Sequence, residues 1–291
     1  MRLVTQLVVV GTAAFVGSAG VGAAEGSWAL TLLAGIATAV LSLLAYRWVV
    51  RRTEHRDPVE AGRAGAGTAL GRGALVGALL FVTVIGAIAL GGGYRVDGTG
   101  SVAVAAGLVG VMAAAAVTEE LLFRGILFRV VEQRLGTWVA LALTGVLFGA
   151  MHLMNPEATL WGAAAIAIEA GGMLGAAYVA TRKLWLPIGL HLGWNLAASG
   201  LFGTVVSGND TPQGLLRGVT SGPALLSGGA FGPEASLYSV LVCVVATAVL
   251  LRLARRRGHL VPARRRDRGA VTSAATGTPA RTATTSATVS V

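Results

Sequence analysis

Charge and cysteine are both scarce in this chain. Only 12% of its 291 residues are charged, where an ordinary soluble domain carries about 25%. That shortage argues against a soluble globular protein with a solvated surface. A single cysteine, Cys243, excludes a disulfide framework and a cysteine-based metal site, and reads as a small core hydrophobe. No separate soluble domain is visible, and the Gly- and Arg-rich segment 51–72 reads as a cytoplasmic loop. What is abundant is apolar and small: 54% hydrophobic residues, 42 glycines and a mean hydropathy of +0.72. Glycine and alanine let helix backbones approach closely where lipid gives no hydrophobic drive to associate.

The expected fold class is therefore all-α, a polytopic transmembrane bundle of about eight spans. Eight stretches approach the roughly 20 residues a spanning helix needs: Leu3 to Ala24, Trp28 to Tyr46, Gly73 to Leu90, about Ser101 to Val131, Thr137 to Met154, Leu160 to Ala180, Leu184 to Val206 and Ala235 to Leu251. With a cytoplasmic N-terminus, twenty Lys and Arg fall on the inner side. Arg95 and Arg217 fall outside and Arg124 within the membrane. This asymmetry explains the +10 net charge as topology, placing the C-terminus in the cytoplasm of a cell membrane, rather than as a nucleic-acid surface. Arg2, the apolar run behind it and the small residues of Val21 to Ala24 also fit a cleaved signal peptide, which leaves the remaining topology unchanged. Trp28, Trp48, Trp138, Trp161 and Trp185 lie near span ends, as interfacial anchors do.

The domain expectation is one transmembrane unit over 1–254, with its motif core at 101–200, and a disordered tail over 255–291. That tail begins in arginine clusters and ends in a Ser/Thr/Ala tract, too polar to offset its ordering entropy. Its arginines are expected to rest on anionic lipids. Residues 207–234, rich in Gly, Ser and Pro, read as an outer connector, with Phe231 of GGAFGPEAS able to dip back into the interface.

Carboxylates enter only the fourth and sixth spans. In TEELLFRG, Glu120 and Arg124 are four apart and share a helical face, so an ion pair can make the buried charge tolerable. Glu119 points elsewhere and lacks that partner. Phe148 and His152 in FGAMH, and His191 and Asn195 in HLGWN, repeat the spacing of four. At 1.5 Å per residue, Glu119 and His152 each lie roughly 22 Å from the inner face, and His191 and Asn195 roughly 10 and 17 Å. A two-carboxylate helix end and isolated core histidines would be unremarkable singly. Polar groups at matching depth on three helices predict a shared cavity. A carboxylate, two imidazoles and an amide suit peptide-bond hydrolysis: a base for water, a proton relay and donors for an oxyanion. Glu119, His152 and His191 are also a possible zinc set. Glu169, in the sixth span, could pair with Arg124, line the cavity or cap local structure.

In order, EExxxR, FxxxH and HxxxN resemble the motifs of the CAAX protease and bacteriocin-processing family, also called Abi, of type II CAAX prenyl endopeptidase-like intramembrane glutamic endopeptidases. The resemblance implies Glu119 as the base that activates water, His152 helping to hold that water, and His191 with Asn195 at the oxyanion. Glu120, Arg124 and Phe148 would support the site. It also implies no catalytic metal and no cofactor, and a membrane-associated peptide or protein as substrate. The Ala-, Gly- and Arg-heavy composition reads as bacterial, which makes secreted-peptide processing or self-immunity more plausible than prenylated substrates. A non-catalytic immunity or scaffold protein using the same polar cavity is the alternative, and a proton-coupled transporter a further one.

Overall fold

A computed structural model describes residues 1–263. Among these, seven helices are long and apolar enough to cross a membrane: α1 (Arg2–Ala23), α2 (Trp28–Glu54), α3 (Ala66–Leu90), α4 (Val102–Leu135), α5 (Thr137–Met154), α6 (Leu160–Thr181) and, last in the chain, Leu237–Arg256. The chain is thus a predominantly helical, multi-pass membrane protein, as the all-α expectation has it. The remaining expected span, 184–206, holds a helix shorter than these seven. It forms α7 from an eleven-residue α-helix, Trp185–Asn195, continued by six π-helical residues, Leu196–Leu201. Pro187 falls in the first turn of α7, where the missing N–H has no intrahelical partner to lose. Leu237–Arg256 is therefore α8.

Serine and threonine caps set three of the starts. Ser101 accepts from the Val104 N–H before α4, Thr159 from Gly162 before α6 and Ser236 from Ser239 before α8. Gly136, at φ 83°, turns the chain between α4 and α5. At one end of the bundle, β1 (Tyr94–Thr99) pairs antiparallel with β2 (Leu216–Thr220), Tyr94 opposite Thr220.

Three helices change winding in mid-course. Leu121–Phe128 of α4, Ala167–Gly172 of α6 and Leu196–Leu201 of α7 are π-helical. Such wide turns are rare and gather at functional sites.

Close backbone approach fixes how α7 sits. A Cβ on Gly77 of α3 would overlap the Leu190 carbonyl, and one on Gly193 of α7 would overlap the Ala74 carbonyl. Gly86, further along α3, has open space. The glycines at the crossing hold the HLGWN helix against α3.

At the arginine-rich end, the chain between α2 and α3 is tied inward. Glu60 accepts two bonds from Arg56, at 2.8 and 2.9 Å, and one from the Tyr46 hydroxyl. Glu54 takes both terminal nitrogens of Arg129 on α4. Burial pushes the Glu60 carboxyl up, but its hydrogen bonds from Arg56 and Tyr46 outweigh that and hold it below the usual range.

Two expectations need revising. The outer segment 207–234 is not a plain connector: Phe231 and Glu234 are buried, and Phe231 packs with Phe123, Phe148 and Ile166. The expected tail over 255–291, with its lipid contact, lies outside the described residues from 264 onward. Its first part is packed structure, since α8 continues to Arg256. Beyond it, Arg257 donates to the Ala180 carbonyl and the Val261 N–H to Thr137. A boundary at 254 therefore falls inside a helix.

Two outcomes test this packing. Gly77→Leu should lower stability by at least about 1–3 kcal/mol, the usual cost of overpacking, while Gly86→Leu leaves it near wild type in thermal unfolding of the detergent-solubilised protein. Because its folded pKa is depressed, Glu60 contributes stability above its unfolded pKa of about 4.3, and loses it as pH falls below that. Glu60→Gln should therefore flatten the decline in unfolding temperature between pH 6 and pH 3, and an unchanged slope would contradict the assignment.

Candidate active site

Glu119 and Glu120 end the regular α-helical part of α4, and π winding begins with the next residue. Glu120 is fully buried. Its Oε1 accepts from Arg124 Nη1 at 2.6 Å, and Arg124 Nη2 donates to the Ala170 carbonyl of α6, also at 2.6 Å. The guanidinium carbon stands 4.9 Å from the centroid of Phe148. Thus one cation joins α4 to α6 and rests on an aromatic face contributed by α5.

Phe148 is the common spacer. Its ring packs edge to face on Phe123 at 4.8 Å and lies 4.9 Å from the His152 ring and 6.4 Å from the His191 ring. His152 Nδ1 is 2.7 Å from the Phe148 carbonyl. A carbonyl only accepts, so Nδ1 carries the proton and Nε2 of the neutral ring is left as an acceptor.

His191 lies between the two acids. Nδ1 is 3.4 Å from Glu120 Oε1, and Nε2 is 3.9 Å from Glu119 Oε2. The first is a long hydrogen bond. The second exceeds direct hydrogen-bond range and suits a bridged contact. Glu119 keeps a quarter of its side chain exposed, whereas its Oε2 is buried without a hydrogen-bond partner among the described residues. A buried acceptor of that kind needs a donor, and a water or a substrate N–H fits the role.

On its other side, His191 lines a small cavity with His152, Glu169, Asn195, Glu234 and Cys243. Its space of about 30 Å³ for the centres of water-sized spheres admits one or two waters. Asn195 is one turn beyond His191 on the same face of α7, and the next residue starts the π segment. Met173 lines both this cavity and an apolar groove of about 640 Å³ bordered by α3, α7 and α8.

Two acids of the cavity wall differ in kind. Glu169, in the π segment of α6, does not pair with Arg124, which is committed to Glu120 and Ala170. Glu234 is fully engaged: Trp194 Nε1 donates to its Oε1 at 2.9 Å, and the Ser207 N–H and hydroxyl both donate to its Oε2. Glu234, Ser207 and Trp194 are site neighbours that motif spacing does not reveal. The signal available was an acid after Pro233, immediately before an apolar stretch, in a loop otherwise rich in Gly and Ser. Among the described residues, no group of three or more His, Cys, Asp or Glu side chains is arranged to hold a metal ion.

Residues 101–197 match a family model described as Rce1-like, type II CAAX prenyl endopeptidase Rce1-like. The matched segment runs from the cap of α4 to just past Asn195 and contains all three motifs. It supports the membership in the CAAX protease and bacteriocin-processing family to which those motifs point. That family consists of proteases, so the match marks a hydrolase domain. No curated protein and no solved structure matches the chain.

The buried pair gives a stability prediction. Arg124→Met alone strands the Glu120 carboxylate and should cost on the order of 3–5 kcal/mol. Adding Glu120→Leu should recover most of that loss in the same unfolding assay. A double variant less stable than Arg124→Met would contradict the pairing.

Proposed function

Starting from a multi-pass protein whose residues 101–197 carry a type II CAAX prenyl endopeptidase-like domain, we propose that the chain is an intramembrane endopeptidase that hydrolyses a peptide bond of a membrane-associated peptide or protein, with Glu119 as general base and no metal. The observation that carries this reading is His191, set between the Glu119 and Glu120 carboxylates at the wall of a cavity shared with His152 and Asn195.

In this mechanism, a water between Glu119 and the histidines loses a proton to Glu119 as its oxygen attacks the scissile carbonyl carbon. His152 orients that water through Nε2, the nitrogen its bond to Phe148 leaves available. His191 and Asn195 stabilise the oxyanion that forms on the carbonyl oxygen. When the C–N bond breaks, the leaving nitrogen takes up the proton held by Glu119, which returns to its carboxylate form. Glu120 works through others. Its Oε1 holds both Arg124 and the Nδ1 side of His191, so the ring keeps Nε2 toward Glu119.

The small volume of the cavity means that water fits as it stands and a peptide must part the helices. The apolar groove that shares Met173 with the cavity supports approach from the lipid side. The chain would act in a bacterial cytoplasmic membrane, its arginine-rich end inward.

Glu119→Gln keeps the volume and hydrogen bonding of the side chain and removes the base. It should lower processing by about 10²–10⁴-fold while the protein stays folded. Mass spectrometry of membrane and secreted peptides, from cells holding native or variant protein, would show the substrate persisting uncut in the variant. Identical peptide profiles with an unchanged phenotype would favour a binding or immunity role over catalysis.

A further inference from the structure

Glu169 and Glu234 are the acids of the cavity wall that the proposed hydrolysis leaves unused, and they differ in how they are held. Glu169 is only 2% exposed, yet its Oε1 has no hydrogen-bond partner among the described residues. The Ser239 hydroxyl of α8 stands beside the Glu169 carboxyl and has no other partner among the described residues. Glu234, on the same wall, has both oxygens held by three protein donors and retains no free one. The wall therefore presents two carboxyl groups, one fixed by the protein and one with an open acceptor. The cationic groups of the site are elsewhere, since Arg124 is spent on Glu120 and Ala170.

Size narrows what could meet this acceptor. Space for one or two water-sized groups suits a primary ammonium, whose head is about as large as a water. In the closed cavity, before any peptide parts the helices, a guanidinium or a quaternary ammonium is too large. We propose that Glu169, backed by the fixed Glu234, is the residue of the cavity that binds a primary ammonium group presented by the substrate. The ammonium has two chemical sources: a lysine side chain next to the scissile bond, or the amine freed when that bond is cut. Only the source rests on the endopeptidase reading; the binding does not.

The test uses the full chain in detergent and methylammonium chloride as probe, with tetramethylammonium chloride as the size control. Binding is read as a concentration-dependent rise in unfolding temperature. Its place is read from the rate at which a small neutral thiol reagent modifies Cys243, the single cysteine and a member of the same cavity wall. Methylammonium should stabilise the protein and slow Cys243 modification, and tetramethylammonium should do neither. Glu169→Gln should weaken methylammonium at least tenfold, while Glu119→Gln keeps it. Equal binding to a folded Glu169→Gln protein, or binding that leaves Cys243 unprotected, would overturn the proposal. Should Glu169→Gln not fold, the wild-type comparison decides, because equal effects of the two amines overturn it as well. Mapped cleavage sites then separate the sources. Lysine enriched at one fixed position assigns the side chain, and inhibition by methylammonium without such enrichment assigns the freed amine. A wild-type protein that binds methylammonium but cleaves nothing leaves the ammonium site standing and removes the endopeptidase reading.

Discussion

Arg124 and Glu120 meet within the bundle with almost no exposure to the surroundings, and most of the site geometry is arranged about that contact. An unpaired charge there would be very costly, so each partner requires the other and the helix that carries both. The second nitrogen of Arg124 draws the α6 backbone in at Ala170, its planar face fixes Phe148 of α5, and the other partner of Glu120 is His191 of α7. One ion pair on α4 thus sets the positions of three neighbouring helices. Its contribution is to specify one arrangement of helices whose lipid-facing residues are largely interchangeable.

Glycine does the complementary work. Polar contacts reach only as far as side chains extend, and α7 must lie close enough to α4 for His191 to reach Glu120. Gly77 and Gly193 allow α3 and α7 to cross with backbones nearly touching. The long hydrogen bond at 3.4 Å and the wider gap at 3.9 Å leave His191 in place without locking it. Under the proposed mechanism, in which His191 exchanges partners, such looseness is an advantage.

Much of this was legible in the chain, for definable reasons. Hydropathy found the segments because the bilayer imposes a length on them, the spacing of four located the His191–Asn195 face because α-helical geometry is regular up to Asn195, and it located the Glu120–Arg124 pair because the π winding after Glu120 still leaves the two side chains in contact. Legibility failed where regularity does. Nothing in LLFRGILF, AIEAGG or LAASGL marks π winding, which arises from how the helices pack rather than from composition. The helix within 184–206 ends before its expected bound because hydropathy also counts Phe202 to Val206, which leave the helix where Gly203 turns the chain. Glu234 was invisible for a different reason: its partners, Trp194 and Ser207, are distant in sequence and unremarkable alone. The packed residues 257–263 were misread because single hydrogen bonds to Ala180 and Thr137 leave no compositional trace.

The wide turn in α4 has a consequence for the whole length of that helix. Each α-helical residue advances the chain by about 100° of rotation. Between Glu120 and Arg129, the expanded coil supplies a different rotation from the one a regular helix would. This phase correction lets a single rod satisfy partners on two other helices, Glu120 with His191 of α7 before the coil and Arg129 with Glu54 of α2 at the arginine-rich rim beyond it. Remove one residue from the coil and the two halves fall out of register with each other, so that only one set can be met. The stretch between the motif and the rim is therefore constrained in length more strictly than in identity.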